Sequence, residues 1–136
     1  MTGFEQQRPL VLVVDGEQQV LSKISEALTE ARFGCQCCET GEQAIAAALA
    51  NPPDLSVCDW NLDGENGVET CQRIKQQPGL ADVPVMFLSS AQRPDVIRRS
   101  LDANAGVYCL RKPFAATVLV ELIDQALGMV ADVTGN

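Results

Sequence analysis

The sequence predicts an α/β domain in which a doubly wound, five-stranded parallel sheet is flanked by five helices. Short apolar runs alternate along the chain with segments whose apolar residues recur at helical spacing. The first run is apolar at every position, which is typical of a strand buried on both faces. The connections between the runs are short, and such βα units produce parallel strands with right-handed crossovers.

The first half of the chain contains three predicted strands and two predicted helices. In chain order, these strands and helices lie at residues 9–14, 17–33, 35–39, 40–51 and 54–60. In the first helix the apolar residues recur every three to four positions, and Gly34 is the predicted stop. Thr40 opens the alanine-rich second helix, and Pro52 ends it.

The second half continues the alternation after a predicted loop that contains Asp63, Gly64 and Gly67. Helix, strand, helix, strand and helix are predicted at residues 68–77, 83–88, 95–103, 107–110 and 115–127. The last segment carries an apolar stripe, so we expect it to pack on the sheet. One folded domain therefore spans residues 9–127, between an N-terminal extension at 1–8 and a C-terminal tail at 128–136.

Composition narrows the function classes. A length of 136 residues suits one domain, and the net charge of −8 argues against a nucleic-acid surface, which requires clustered cations. No apolar run reaches the length needed to cross a bilayer, and the N-terminus lacks the apolar region of a signal peptide. We therefore expect a cytoplasmic protein that has protein partners and contacts neither nucleic acid nor membrane.

Six cysteines raise the question of a disulfide or metal framework. Cys35 and Cys38 form a C-x-x-C pair, but the chain has no histidine and no second pair to complete a tetrahedral site. Most of the cysteines lie in apolar runs. Buried structural thiols are the favoured interpretation, and a redox or metal role is the alternative.

Polar residues follow the predicted strands, where the carboxyl ends of a parallel sheet meet at one edge. Asp15 and Glu17 follow the first strand, and Asp59 follows the third. Ser89 follows the fourth strand, and Lys112 follows the fifth. Ligands of doubly wound folds bind at this edge. Carboxylates suit Mg²⁺, and a hydroxyl with an ammonium suits a phosphoryl group.

Four segments of the sequence contain these polar residues: LVLVVDGE, SVCDWNLDGENG, VPVMFLSSA and LRKPF. In this order and spacing they resemble the signature segments of the receiver domains of two-component response regulators, over about residues 9–127. The resemblance implies the flavodoxin-like receiver fold. It also implies a partner that is a sensor histidine kinase or a phosphotransfer protein.

Site residues are carried over from the resemblance by position. It implies that Asp59 is the nucleophile that becomes phosphorylated, with Ser89 and Lys112 contacting the phosphoryl oxygens. It implies a Mg²⁺ ion held by Asp15, Asp59 and the backbone carbonyl of Asn61. Pro113 corresponds to the family's cis Lys-Pro bond.

The sequence departs from the family at two places. Receivers usually have two adjacent acidic residues after the first strand, but Gly16 occupies the second position, so weaker Mg²⁺ binding is expected unless Glu17 substitutes. The family's aromatic switch position, three residues before the lysine, holds Cys109, with Tyr108 one place earlier. Either a one-residue shift or a true replacement explains this pattern.

Three functions follow from these residues. The first is a signalling receiver that is phosphorylated on Asp59 and then binds a downstream protein or dimerises; its only chemistry is self-phosphorylation from phosphodonors and autodephosphorylation. The second is a degenerate receiver that binds proteins without phosphorylation, as Gly16 suggests. The third, a small hydrolase that uses Asp59 as its nucleophile, is disfavoured because no segment suggests a substrate pocket or cap.

Overall fold

The computed structural model describes residues 8–62, 65–89 and 107–128, and the predicted parallel sheet is present. Its strands are β1 (Leu10–Val14), β2 (Gly34–Cys38), β3 (Leu55–Asp59), β6 (Val85–Ser89) and β7 (Val107–Arg111). Two further strands, β4 (Asn61–Leu62) and β5 (Glu65–Asn66), form a small antiparallel hairpin. The helices are α1 (Gln18–Glu30), α2 (Gly41–Ala50), α3 (Gly67–Lys75) and α4 (Ala116–Ala126). The helix predicted at 95–103 lies outside the described residues.

Strand order explains where a site can form. The order is β2-β1-β3-β6-β7, and every neighbouring pair is parallel. After β1 the chain moves outward to β2, returns to β3 on the other side of β1, and continues in that direction. The sheet therefore has a switch point beside β1, and the carboxyl ends of all five strands lie at one edge.

Both faces of the sheet are covered, which is why the first strand is apolar throughout. Val11, Leu12, Val13 and Val14 are each 0–1% exposed. The α1/α4 core is the buried cluster that contains Val11, Val13, Leu21, Ile24, Leu28, Phe33, Leu55, Val57, Met86, Leu88, Leu119 and Ile123. The α2/α3 core contains Leu12, Val14, Cys38, Ala44, Ala48, Cys58, Val68, Cys71, Ile74, Leu80, Val85 and Phe87. Alternation of side chains along each strand produces this division.

The end of α1 differs from the prediction. The helix stops at Glu30 and not at Gly34, which instead begins β2. Arg32 takes a left-handed conformation with φ of 70°, and the Phe33 amide donates a 2.9 Å hydrogen bond back to the Leu28 carbonyl. The prediction of Gly34 as the stop was wrong because Phe33 packs into the α1/α4 core, so the chain must turn before it.

The start of α2 agrees with the prediction. The Thr40 hydroxyl accepts a hydrogen bond from the Gln43 amide at 3.2 Å, and the Gln43 side-chain oxygen accepts one from the Glu39 amide at 2.9 Å. This reciprocal cap satisfies two backbone donors at a helix start. It holds the turn between the end of β2 and the helix.

Candidate functional site

Asp15 is the innermost acidic residue of the carboxyl edge, and its side chain is 0% exposed. Its amide donates to the Cys38 carbonyl at 3.0 Å, so it continues the line of β1 beside β2. Its Oδ1 atom accepts a 2.9 Å hydrogen bond from the Glu17 amide. This bond fixes the turn that follows β1 and orients the carboxylate toward the carboxyl ends of the other strands.

Lys112 provides the positive charge that compensates this buried carboxylate. Its Nζ atom lies 2.9 Å from Asp15 Oδ2, 3.3 Å from Glu17 Oε1 and 3.5 Å from Asp59 Oδ2. Among the described residues, Asp15 Oδ2 accepts no hydrogen bond of regular geometry, so it depends on the charge of Lys112. Three carboxylates therefore surround one ammonium.

The same surroundings change the acidity of Lys112. Burial by itself would lower the Lys112 pKa, since it penalises the charged form. Contact with Asp15 and the charges of Asp15 and Asp59 outweigh burial, with a smaller contribution from Glu17, and the Lys112 pKa is raised. The side chain is thus a permanent cation at physiological pH.

Asp59 is the last residue of β3, and its side chain is 13% exposed. The backbone of Asp59 makes a close contact with Gly67, the first residue of α3. A Cβ atom at Gly67 would lie 2.1 Å from the Asp59 carbonyl oxygen, far inside normal contact, so only glycine fits. The Gly67 amide also donates to the Trp60 carbonyl at 2.9 Å. The sequence predicts Gly67 only as part of a loop and does not reveal this role, for which a glycine soon after Asp59 is the one available signal.

Ser89 ends β6 and is 6% exposed. Its carbonyl accepts a 2.8 Å hydrogen bond from the Lys112 amide, so the backbone links the residue to the turn after β7. The Lys112–Pro113 bond in that turn is cis, as the resemblance implied. Ser89 and Lys112 are thus brought to the same edge as Asp59, whose neighbour in β6 is Leu88.

Trp60 lies beside Asp59 and is half-buried. Its ring meets the Phe87 ring edge to face, with centroids 5.8 Å apart and planes at 83°. Aromatic pairs favour this arrangement. Trp60 therefore packs on the rim of the α2/α3 core directly next to the acidic site.

Tyr108 and Cys109 lie on opposite faces of β7. Tyr108 packs against the α1/α4 core, whereas Cys109 packs against the α2/α3 core, to which Trp60 also belongs. Cys109 is the strand partner of Phe87. The two alternatives for the switch position therefore differ in which side of the sheet they would engage.

The donor set can be compared with the needs of a divalent cation. Mg²⁺ takes oxygen ligands and retains several waters, so one or two carboxylates are sufficient. Asp15 and Asp59 converge on one point, and the excess of carboxylates over ammonium leaves negative charge there. No group of three acidic or cysteine side chains suited to a metal occurs in the described part of the chain. The residues thus fit a Mg²⁺ ion that relies heavily on water.

Three further residues, Gly16, Glu17 and Asn61, lie near this site. Gly16 is exposed, and a Cβ atom built on it would meet nothing within 4 Å. Glu17 is 68% exposed and is directed to Lys112. Asn61 lies in β4 opposite Asn66, so its backbone follows Asp59 and Trp60 directly.

The fold and the site together define the class of this protein. It is a small, doubly wound α/β domain with two aspartates and a lysine at the carboxyl edge of its sheet. Residues 11–124 match the family model described as the response regulator receiver domain. The chain belongs to this family, and it is the receiver domain of a two-component response regulator. Receivers are signalling modules that generally bind Mg²⁺ at their acidic pocket and interact with histidine kinases or phosphotransfer proteins.

Curated relatives agree with the family. The chain is 32% identical over 117 residues to the phosphate regulon transcriptional regulatory protein PhoB of Pseudomonas aeruginosa, covering 86% of this chain and 51% of that protein. It is 35% identical over 115 residues to the transcriptional regulatory protein PrrA of Mycobacterium tuberculosis, covering 85% and 47%. The chain thus spans about half the length of these relatives.

Solved structures agree on the fold. The chemotaxis protein CheY4 of Vibrio cholerae superposes with a TM-score of 0.81 at 22% identity, covering 88% of this chain and 98% of that one. A two-component response regulator from Clostridium difficile gives 0.77 at 20% identity, covering 88% and 96%. The predicted flavodoxin-like receiver fold is confirmed. Within the described residues, no helix combines the length and apolarity needed to cross a membrane.

Proposed function

We propose that Asp59 accepts a phosphoryl group from a histidine kinase or a phosphotransfer protein, and that this modification switches the binding of a partner or dimerisation. The observation that carries the proposal is the convergence of Asp15 and Asp59 on one lysine, with both carboxylates within 3.5 Å of its Nζ atom. A carboxylate oxygen of Asp59 attacks the phosphorus of a phosphohistidine. The phosphorus–nitrogen bond breaks, and an acyl phosphate forms.

Each neighbouring residue has a role in this reaction. Lys112 moves from pairing with the free carboxylates to pairing with the phosphoryl oxygens, where a cation stabilises developing negative charge. The Ser89 hydroxyl donates to another phosphoryl oxygen. Glu17 competes for Lys112 before phosphorylation and is released afterwards, which frees it to approach the metal.

Mg²⁺ would be held by Asp15, Asp59 and the Asn61 carbonyl, and it supplies charge neutralisation between the incoming phosphoryl group and the carboxylates. Because Gly16 contributes no carboxylate, we expect binding to be weaker than at a site with two adjacent acidic residues. Glu17 is the residue available to compensate.

We propose that Cys109 replaces the family's switch aromatic, because Tyr108 packs on the other side of the sheet from Trp60 and Phe87. Movement of Ser89 upon phosphorylation would then reach the surface through the hydrogen bond that the Lys112 amide donates to the Ser89 carbonyl. Chemistry beyond this is limited to self-phosphorylation from small phosphodonors and autodephosphorylation.

We propose a receiver at residues 9–127 of a cytoplasmic protein, with flanking segments at 1–8 and 128–136 and no nucleic-acid contact by the receiver itself. The relatives PhoB and PrrA are named as transcriptional regulators, and the chain covers about half of each. A transcriptional output is therefore a property to be tested on the whole protein.

The test uses the fluorescence of Trp60, the single tryptophan of the chain. Mg²⁺ and then a beryllofluoride phosphate mimic are titrated, and acetyl phosphate treatment is followed by mass spectrometry. We expect saturable responses and one added phosphate, all of which depend on Asp59. The Asp59→Asn variant is the matched control, and it should give neither the mimic response nor the added phosphate.

An unmodified mass together with a flat mimic titration in the native protein would overturn the phosphorylation proposal. That outcome would leave the alternative, a degenerate receiver that binds its partners without phosphorylation. A flat Mg²⁺ titration with normal phosphorylation would instead overturn only the metal assignment.

A further inference from the structure

Two cysteines of the edge strand β2 lie side by side on one face. Cys35 and Cys37 are separated by one residue, and their Sγ atoms are 3.6 Å apart. The C-x-x-C pair of Cys35 and Cys38 does not form this contact, because Cys38 is buried in the α2/α3 core on the opposite face. β2 has a single neighbour, β1, so one side of this strand is uncovered by the sheet.

Cys37 is accessible from solvent. It is exposed, Cys35 is half-buried, and both belong to the face toward α1. Cys37 lines an open cleft of about 580 Å³ together with Ser22, Ser25, Glu39 and Gln43. Hydroxyl and amide groups in the cleft can bind a small polar molecule next to the sulfur.

The contact between the two sulfurs shifts the pKa values of the two thiols in opposite directions. The hydrogen bond from Cys35 lowers the pKa of Cys37 to about 7, opposed by burial and aided by Ser25. The pKa of Cys35 is raised, first by that hydrogen bond, then by burial and by the charge of Cys37. The thiolate is the nucleophilic form of cysteine, and an attacking thiol is most effective when its pKa is near the ambient pH.

The backbone also permits a bond between these residues. Alternate residues of a parallel strand have Cα atoms about 6.6 Å apart, which lies near the upper end of the range of about 4.4–6.8 Å that disulfides span. The two Sγ atoms are already 3.6 Å apart. A disulfide requires an S–S distance of about 2.05 Å and a Cβ–Cβ distance of about 3.5–4.5 Å, so β2 must bend locally for the bond to close. As an edge strand, β2 is paired on one side alone within the described residues.

We propose that Cys35 and Cys37 are a reactive dithiol that reduces a low-molecular-weight disulfide and closes an intramolecular Cys35–Cys37 bond. Cys37 thiolate attacks one sulfur of the disulfide RSSR, forming a mixed disulfide and releasing RS⁻, which takes a proton. Cys35 then loses its proton and attacks the Cys37 sulfur, releasing the second thiol. In total, two protein thiols are oxidised and RSSR is reduced to two RSH. The proposal is independent of phosphorylation of Asp59.

The test treats the native 136-residue chain with bis(2-hydroxyethyl) disulfide, an uncharged probe, at neutral pH. Remaining thiols are alkylated after denaturation, and digestion after Arg32 and Glu39 releases a peptide that holds Cys35, Cys37 and Cys38. We expect a peptide alkylated at Cys38 alone and bridged between the other two. Dithiothreitol should restore full alkylation.

Two variants separate the steps. Cys35→Ala removes the resolving thiol, so oxidation should stop at a mixed disulfide on Cys37 that carries one hydroxyethylthio group. In this variant the pH midpoint of Cys37 alkylation should also rise toward the ordinary thiol value of about 8.5, since the hydrogen bond is lost. Cys38→Ala, the matched control on the other face, should oxidise like the native chain.

Alkylation of both Cys35 and Cys37 after exposure to the disulfide, in a protein whose circular dichroism shows it is folded, would overturn the proposal. So would a bridge that includes Cys38, or a Cys37 alkylation midpoint that is the same in the native chain and in Cys35→Ala.

Discussion

Among its individual residues, the candidate site holds more negative than positive charge. Asp15 is fully buried beside Lys112, whose Nζ atom lies 2.9 Å from Asp15 Oδ2 and also close to Asp59 and Glu17. One ammonium does not neutralise three carboxylates, so the site keeps an excess of negative charge. This excess supports the proposal of a Mg²⁺ site even though Gly16 contributes no ligand.

Gly16→Asp should strengthen Mg²⁺ binding. The position is exposed and has open space around a Cβ atom, so the added carboxylate should fit without displacing a neighbour. We expect roughly tenfold tighter binding, about 1.4 kcal/mol, from one more negative charge close to the ion. Trp60 fluorescence titration measures the affinity, with Gly16→Asn as the uncharged control of similar size. Equal affinities for Gly16→Asp and the native chain would contradict the prediction.

Lys112→Met should destabilise the fold because it leaves a buried carboxylate uncompensated. Breaking a buried ion pair costs about 3–5 kcal/mol, and we expect about 2–3 kcal/mol here because the lysine keeps some solvent contact. Urea unfolding provides the measurement. The double variant Asp15→Asn with Lys112→Met should lose less than the sum of the single variants, and strict additivity would show that the pair is uncoupled.

At the element scale, α3 is positioned by its contact with the end of β3. The first residue of the helix, Gly67, touches the Asp59 carbonyl oxygen, while the Cys58 thiol lies 3.5 Å from the same oxygen and 3.7 Å from the Gly67 carbonyl oxygen. The backbone of Asp59 is thus enclosed by the helix start. This packing holds the carboxylate at the edge of the sheet, where its Oδ2 atom lies 3.5 Å from Lys112 Nζ.

Gly67→Ala should therefore damage both stability and the site. The added methyl group would collide with the Asp59 carbonyl, and overpacking of this kind costs about 1–3 kcal/mol. Thermal or urea unfolding should show this loss, and phosphorylation by acetyl phosphate should slow because Asp59 is displaced. Gly16→Ala is the control, with an expected change within about 0.5 kcal/mol. If the two alanine variants behave alike, the contact does not constrain the acceptor.

Across the whole molecule, all residues of the two cores lie within the predicted domain at residues 9–127. The described buried apolar residues run from Val11 in β1 to Ile123 in α4. The α1/α4 core joins residues from the two ends of the domain, since α1 and α4 pack on the same face of the sheet. Among the described residues, the buried apolar core therefore ends with α4.

A chain of residues 9–127 should fold as stably as the full chain. Its urea midpoint is expected to match that of the full chain, because no described core residue is removed. A chain that ends at residue 115 should fail to fold cooperatively, since it lacks Leu119 and Ile123, which are both 0% exposed. A markedly lower midpoint for the 9–127 chain would show that the flanking segments carry stability.

Local patterns in the sequence were sufficient for most of the fold. Runs such as residues 10–14 are apolar because both faces of the sheet are covered, so the sequence alone predicted buried parallel strands. The Thr40 cap was also readable, because a helix start is satisfied by nearby residues. Gly34 was misread as a helix stop, since the turn at Arg32 depends on where Phe33 packs. The β4–β5 hairpin was not predicted from its short strands.

Patterns along the sequence predicted the order of the five sheet strands and of the described helices, the family resemblance, and the set of polar residues at the carboxyl edge. Which of these residues meet follows from the tertiary structure. Glu17 and Lys112 are 95 positions apart, yet they form an ion pair. Cys35 contacts Cys37 and not Cys38, and Gly67 lies against Asp59. The physical reason is that strand and helix patterns arise from neighbours along the chain, whereas these contacts depend on how separate elements pack and which face each side chain takes.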